Sequence, residues 1–143
     1  MVSHVEASAR HGITLAEFPT TRDAAQACRT YGIAVMMGAP NLIRGGSHSG
    51  NVSAGDLAQA GLLDILSSDY VPSALLAAAV QIGLAQGDMA KGLRTVTTAP
   101  AQATNLSDRG EIAAGKRADL TRFRLIGKRP QVIETWVAGR RVG

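Results

Sequence analysis

Apolar and polar positions along this chain fall into blocks whose period changes. Residues 3–11 follow a polar helical pattern that stops at Gly12. Ile13-Thr14-Leu15-Ala16-Glu17-Phe18 alternates as a short strand closed by Pro19. Thr20 or Thr21 is placed to cap an alanine-rich helix over 22–31, which Gly32 ends. Ile33-Ala34-Val35-Met36-Met37 is a near-continuous apolar run, the pattern of a parallel strand covered on both faces. A long connection, 38–51, follows. Ser53 then caps a helix over 54–60 stopped by Gly61, and Leu63-Asp64-Ile65-Leu66-Ser67 reads as a third strand. Further helices are predicted over 72–86 and 89–98.

Strands and helices alternating at this spacing predict an α/β fold with a parallel sheet. Three strands are too few for a closed barrel, which takes about eight. Residues 106–143 change character. Asp108, Gly110, Gly115, Gly127, Pro130 and Gly139 separate short strand-like runs at 111–112, 118–123, 132–137 and 141–142. That spacing predicts an antiparallel appendage, with a boundary near 105 between a 1–105 unit and a 106–143 unit.

Composition narrows the chemistry. The 143 residues are 45% hydrophobic and 18% charged, a globular balance. Aromatic residues are 3%, so the core is aliphatic and no base-stacking platform is expected; nucleic acid is not an expected partner. One cysteine, Cys28, excludes an internal disulfide, and mid-helix it reads as a small buried hydrophobe. No signal peptide or membrane-length apolar run is read from the sequence, so the expectation is a cytoplasmic protein without a membrane partner. Residues 109–143 carry nine Lys/Arg and three Asp/Glu, whereas residues 1–108 carry six and eight. The basic tail either attracts an anion or solvates the outer face of short strands.

Two places hold candidate chemistry, both after parallel strands, where α/β sheets gather function. The first is the 38–51 connection, which is long for its kind. Arg44 is suited to clamp a phosphate, and Gly45-Gly46 would let backbone N–H groups approach an anion. Ser47, His48 and Asn51 complete the group. The spacing is not that of a nucleotide-binding P-loop, and a plain flexible connector is the alternative. The second place is Ser67-Ser68-Asp69-Tyr70. A carboxylate at a strand's carboxyl end suits a metal ligand or a proton carrier. Its alternative role is a cap for the helix starting near Pro72. His4 and His11 lie seven apart on one helix face with no ligand set around them.

These segments together carry a resemblance. Ala16-Glu17-Phe18-Pro19-Thr20-Thr21, Met37-Gly38-Ala39-Pro40-Asn41, Arg44-Gly45-Gly46-Ser47-His48-Ser49-Gly50-Asn51-Val52 and Ala60-Gly61-Leu62-Leu63-Asp64-Ile65-Leu66-Ser67-Ser68-Asp69-Tyr70 resemble the C-terminal part of the phosphonate-pathway diphosphatases. Those enzymes belong to the amidohydrolase superfamily. Ala99-Pro100-Ala101, Asp108-Arg109-Gly110-Glu111-Ile112, Gly115-Lys116-Arg117-Ala118-Asp119-Leu120 and Val137-Ala138-Gly139 are similar to the superfamily's usual ending.

The resemblance implies the C-terminal portion of a metal-dependent hydrolase (β/α)8 TIM barrel plus the closing strands of a small β-sandwich, a composite domain. It implies hydrolysis of a ribose-phosphonate 5-triphosphate to the 5-phosphate and pyrophosphate, with a divalent metal, zinc foremost, as cofactor. Asp69 matches the superfamily's aspartate after the eighth strand, which ligates metal and takes a proton from water. Arg44, Gly45, Gly46, Ser47, His48 and Asn51 would grip the triphosphate. The superfamily's H-x-H pair has no counterpart in this sequence. The chain alone is therefore expected to retain no metal and no activity. The alternatives are an association module, pairing with itself or with a complementary N-terminal piece, and an amidohydrolase acting on C–N bonds.

Overall fold

The computed structural model describes residues 2–46 and 50–143. Two three-stranded sheets organise it. The first is parallel, in the order β1 (Leu15–Glu17), β2 (Ala34–Gly38), β3 (Ile65–Ser67). Helix α1 (Val2–Arg10) precedes β1, α2 (Arg22–Thr30) joins β1 to β2, and α3 (Ala39–Arg44) and α4 (Ala54–Gln59) lie between β2 and β3. Helices α5 (Ala74–Gln86), α6 (Met89–Arg94) and α7 (Thr98–Ala103) follow. The second sheet is antiparallel, β4 (Leu120–Ile126), β5 (Arg129–Val137), β6 (Arg140–Arg141).

The register fixes which side chains share a face of the parallel sheet. Ala16 pairs with Val35, and Met37 with Leu66. That row joins Ala25, Cys28, Leu42, Leu57, Ala78, Ala79 and Ile82 in an aliphatic core under the helices. The opposite row carries Leu15, Ala34, Met36, Gly38, Ile65 and Ser67, because successive strand residues point to opposite faces. Leu15, Ala34 and Met36 there are only half-buried. The sheet is open, with β1 and β3 at its edges.

Capping explains the helix limits. The Thr21 side chain accepts the Ala24 N–H at 3.1 Å and starts α2. Ser53 does the same for Asp56 and α4, and Asp88 for Lys91 and α6. At the amino end of the sheet, the Arg29 guanidinium donates to Asp64 and to the Gly61 carbonyl, while Asp64 accepts the Val35 N–H at 2.9 Å. One carboxylate thus ties α2, β2 and the approach to β3 together.

Three sequence expectations change. The 38–51 connection opens with a helix rather than a loop. Gly38 is its N-cap, Pro40 sits in the first turn where its missing N–H costs nothing, Leu42 is buried, and Gly45 ends it at φ 79°. The expected helix over 89–98 stops at Arg94 as α6, and a separate helix, α7, begins at Thr98. Thr95 is buried there, its hydroxyl bonds the Gly92 carbonyl, and its own carbonyl accepts the N–H of Leu66 on edge strand β3. The expected strand at 111–112 does not form; Ile112 is 91% exposed with no strand beside it.

The antiparallel sheet explains the uneven charge. Glu134 pairs with Arg122 at 2.9 Å and Arg141 at 3.2 Å, and Asp119 pairs with Arg117 and Arg109. Lys116 meets Glu111, and Arg124 bonds Gln131. Arg109 also forks onto Asp108, whose carboxyl it holds below its ordinary value. These basic groups bind neighbouring strands and turns, in keeping with the solvated-face alternative. A bulge lies between Arg122 and Phe123, where Ile133 has no strand partner.

Helices α5 and α6 cross backbone against backbone. A Cβ on Gly92 would run into the Ala79 carbonyl and lie 2.5 Å from the Gly83 nitrogen. Gly92→Ala is expected to cost about 1–3 kcal/mol, read as a lower urea midpoint at unchanged slope. Cys28 is 2% exposed, and burial pushes its thiol above the ordinary value. The native chain is expected to resist a thiol reagent at pH 8 and to react promptly once guanidinium unfolds it, as followed by absorbance.

Candidate functional site

The three parallel strands end together, and their carboxyl ends make the site. Phe18 follows β1, Gly38 ends β2, and Ser67-Ser68-Asp69 ends β3. Phe18 and Asp69 both adopt left-handed backbone, at φ 55° and 51°. A non-glycine residue there carries roughly 1–2 kcal/mol of strain. Each turns its side chain over the middle strand. The Asp69 Oδ2 and the Phe18 ring edge come so close to Gly38 that a Cβ there would lie 2.9 Å from the oxygen and 3.1 Å from Phe18 Cζ. Asp69 therefore sits where the sequence expectation put it, at a strand's carboxyl end, with its carboxylate over the sheet. Its alternative role as a cap is not seen, since Ser73 is the N-cap of α5.

Tyr70 extends the site toward α3. The Arg44 guanidinium carbon lies 5.4 Å from the centroid of the Tyr70 ring, a cation–π contact. The last residue of α3 is thereby brought next to the Asp69 turn. Asn41, one turn earlier, accepts the Ala54 N–H at 2.8 Å and anchors the far end of the connection. Asn51 is exposed. Ser47 and His48 lie outside the described residues. Ser67, paired in register with Gly38, has a buried hydroxyl with no hydrogen-bond partner among the described residues.

The anion-cradle expectation needs one correction. The Gly45 N–H donates to the Leu42 carbonyl and the Gly46 N–H to the Asn41 carbonyl, both at 3.1 Å. These two amides close the C-terminus of α3 and are spent there. A helix C-terminus also carries partial negative charge, which disfavours an anion. Arg44 lies beside the Asp69 turn through its contact with the Tyr70 ring. Phe18 and Gly38 are site residues that motif reasoning passed over. Their signal was positional: each stands at the carboxyl end of a strand, as Asp69 does.

The donor set does not fit a self-contained metal centre. Among the described residues no three His, Cys, Asp or Glu side chains gather to hold an ion. Asp69 is a single carboxylate, and a catalytic divalent ion takes about three protein ligands. A cavity of about 710 Å³ lies at the opposite end of the sheet. Its cations are already engaged, Arg29 with Asp64, Arg94 with Gln102 and Lys91 with Asp88. Among the described residues, no helix is long and apolar enough to cross a membrane.

Residues 4–143 match the model of the amidohydrolase family. The chain is 50% identical over 143 residues to the alpha-D-ribose 1-methylphosphonate 5-triphosphate diphosphatase of Escherichia coli (strain K12). The match covers 98% of this chain and 38% of that relative's length. With the family model matched over all but its first residues, the chain belongs to the amidohydrolase family.

Proposed function

We propose that these residues form the C-terminal part of a hydrolase that cleaves a ribose-phosphonate 5-triphosphate to the 5-phosphate and pyrophosphate. The observation that carries this reading is the Asp69 carboxylate, held over the carboxyl ends of three parallel strands. The 50% identity to a diphosphatase of that substrate supports the choice of chemistry over C–N bond hydrolysis. In the reaction, a water oxygen bonds to phosphorus and the bridging P–O bond breaks. Pyrophosphate leaves with the bonding electron pair. Asp69 accepts the proton that the attacking water releases, the work of a general base. Arg44, stacked on Tyr70, pairs with phosphate oxygens and neutralises their charge. Ser47, His48 and Asn51 belong to the same proposed grip. The family's divalent metal finds one candidate ligand here, so no step is assigned to it, and the chain by itself is proposed to be inactive.

The barrel and sandwich of the family belong to this proposal too. Edge strands β1 and β3 and half-buried Leu15, Ala34 and Met36 are the surfaces on which further strands and their side chains would pack. The same features favour a second reading, in which the chain serves as an association module. Light scattering during size exclusion separates the two: a defined dimer supports self-association, and a compact monomer counts against it.

The catalytic claim is tested in a chimera carrying residues 4–143 in place of the matching part of the Escherichia coli diphosphatase. Asp69→Asn is expected to lower kcat for pyrophosphate release by about 10²–10⁴-fold with an unchanged circular dichroism spectrum. An unaltered kcat would remove Asp69 from the chemistry. Arg44→Ala is expected to raise KM about tenfold while kcat stays within a few-fold, because the lost contact binds substrate and transition state alike.

A further inference from the structure

We propose that Gly38 and Phe18 are positioning residues that set the location of the Asp69 carboxylate; this rests on the reading of Asp69 given above. Gly38 is a glycine that its backbone does not require. Gly38 has φ −72° and ψ 132°, ordinary extended geometry open to most residues. What it lacks is a Cβ, and the space that atom would fill is already taken. The Asp69 Oδ2 would lie 2.9 Å from it, Phe18 Cζ 3.1 Å and Phe18 Cε1 3.2 Å. Carboxylate and ring share one notch at the end of the middle strand.

Both occupants reach the notch by the same device. Strands β1 and β3 flank β2, and each is followed by a non-glycine residue in left-handed conformation, Phe18 at φ 55° and Asp69 at φ 51°. The turn at Phe18 is fixed by its N–H, which donates to the Met36 carbonyl at 2.9 Å. The register fixes β3 through the pairing of Ser67 with Gly38. Among the described residues no group donates a hydrogen bond to the Asp69 carboxylate and no cation pairs with it. Its position is therefore set by shape: the turn behind it, the Gly38 backbone below it and the Phe18 ring edge beside it. A methyl group at Gly38 must displace either the carboxylate or the ring.

The consequence for catalysis follows from how sharply rate depends on placement. A misplacement of about 1 Å can cost on the order of 100-fold in rate. Substrate binding through Arg44 sits on a different element, α3, so Gly38→Ala separates kcat from KM. In the chimera, Gly38→Ala is expected to lower kcat about 100-fold with KM within about twofold. Adding Phe18→Leu, which trims the ring and frees room for the methyl, is expected to restore about tenfold of that loss. Phe18→Leu alone leaves the notch slack and lowers kcat several-fold.

The same substitutions are read without activity in the 143-residue chain. Carbon-detected NMR of the side-chain carboxyls is expected to move the Asp69 signal in Gly38→Ala and to return it partway in the double variant, the other carboxyls staying fixed. An unmoved Asp69 signal together with an unchanged kcat in Gly38→Ala overturns the proposal. If Gly38→Ala does not fold, the Phe18→Leu signal and kcat decide in the same way. If Asp69→Asn leaves kcat untouched while Gly38→Ala moves the Asp69 signal, the catalytic reading fails and the positioning claim stands on the spectrum.

Discussion

The structure depends on the middle strand of the parallel sheet. β2 has a neighbour on each side, and its Val35 and Met37 are buried in the aliphatic core. Burying such side chains contributes roughly 1.5–3 kcal/mol each, and it fixes the plane on which everything else is placed. The two ends of β2 are then used differently. At the amino end a carboxylate, Asp64, ties backbone and helix through Val35 and Arg29. At the carboxyl end there is no such tie, and Gly38 leaves a notch in which a second carboxylate, Asp69, is held by packing. Asp64 spends its hydrogen-bonding capacity on structure, whereas Asp69 receives no side-chain hydrogen bond among the described residues.

The antiparallel sheet divides the charge of the chain along the same lines. Arg122 and Arg141 of the sheet share Glu134, and Arg109 and Arg117 before it share Asp119, so these four basic groups are engaged within residues 109–143. The cation associated with the candidate site, Arg44, belongs instead to the α/β part, which carries more acidic than basic residues. The stack on Tyr70 brings that guanidinium beside the Asp69 turn.

Much of the fold was legible because it rests on period and punctuation. The apolar run at 33–37, the threonine and serine caps and the stops at Gly12, Gly32 and Gly61 all correspond to elements that form. Helix α3 was not legible, since Pro40 and Gly45-Gly46 look like turn formers until it is seen that Pro40 lies in the first turn and Gly45 caps the end of a six-residue helix with Leu42 buried. The break between α6 and α7 was hidden for another reason. Thr95 is called away from the helix to serve the edge of β3, a tertiary demand with no local signal. At the site, Asp69 was a candidate from its place after a strand, with a helix cap as its alternative, and the family resemblance singled it out. Gly38 was not, because its glycine answers to the spatial approach of residues 20 and 31 positions away.

The account stands on the convergence of Phe18, Gly38 and Asp69 at one end of the sheet. The most direct measurement is the pattern of nuclear Overhauser contacts from the Phe18 ring protons in the 143-residue chain. The account predicts cross-peaks to both the Gly38 α protons and the Asp69 β protons. A Phe18 ring with contacts to neither, in a chain whose parallel β1–β2–β3 pairing is otherwise intact, would contradict it.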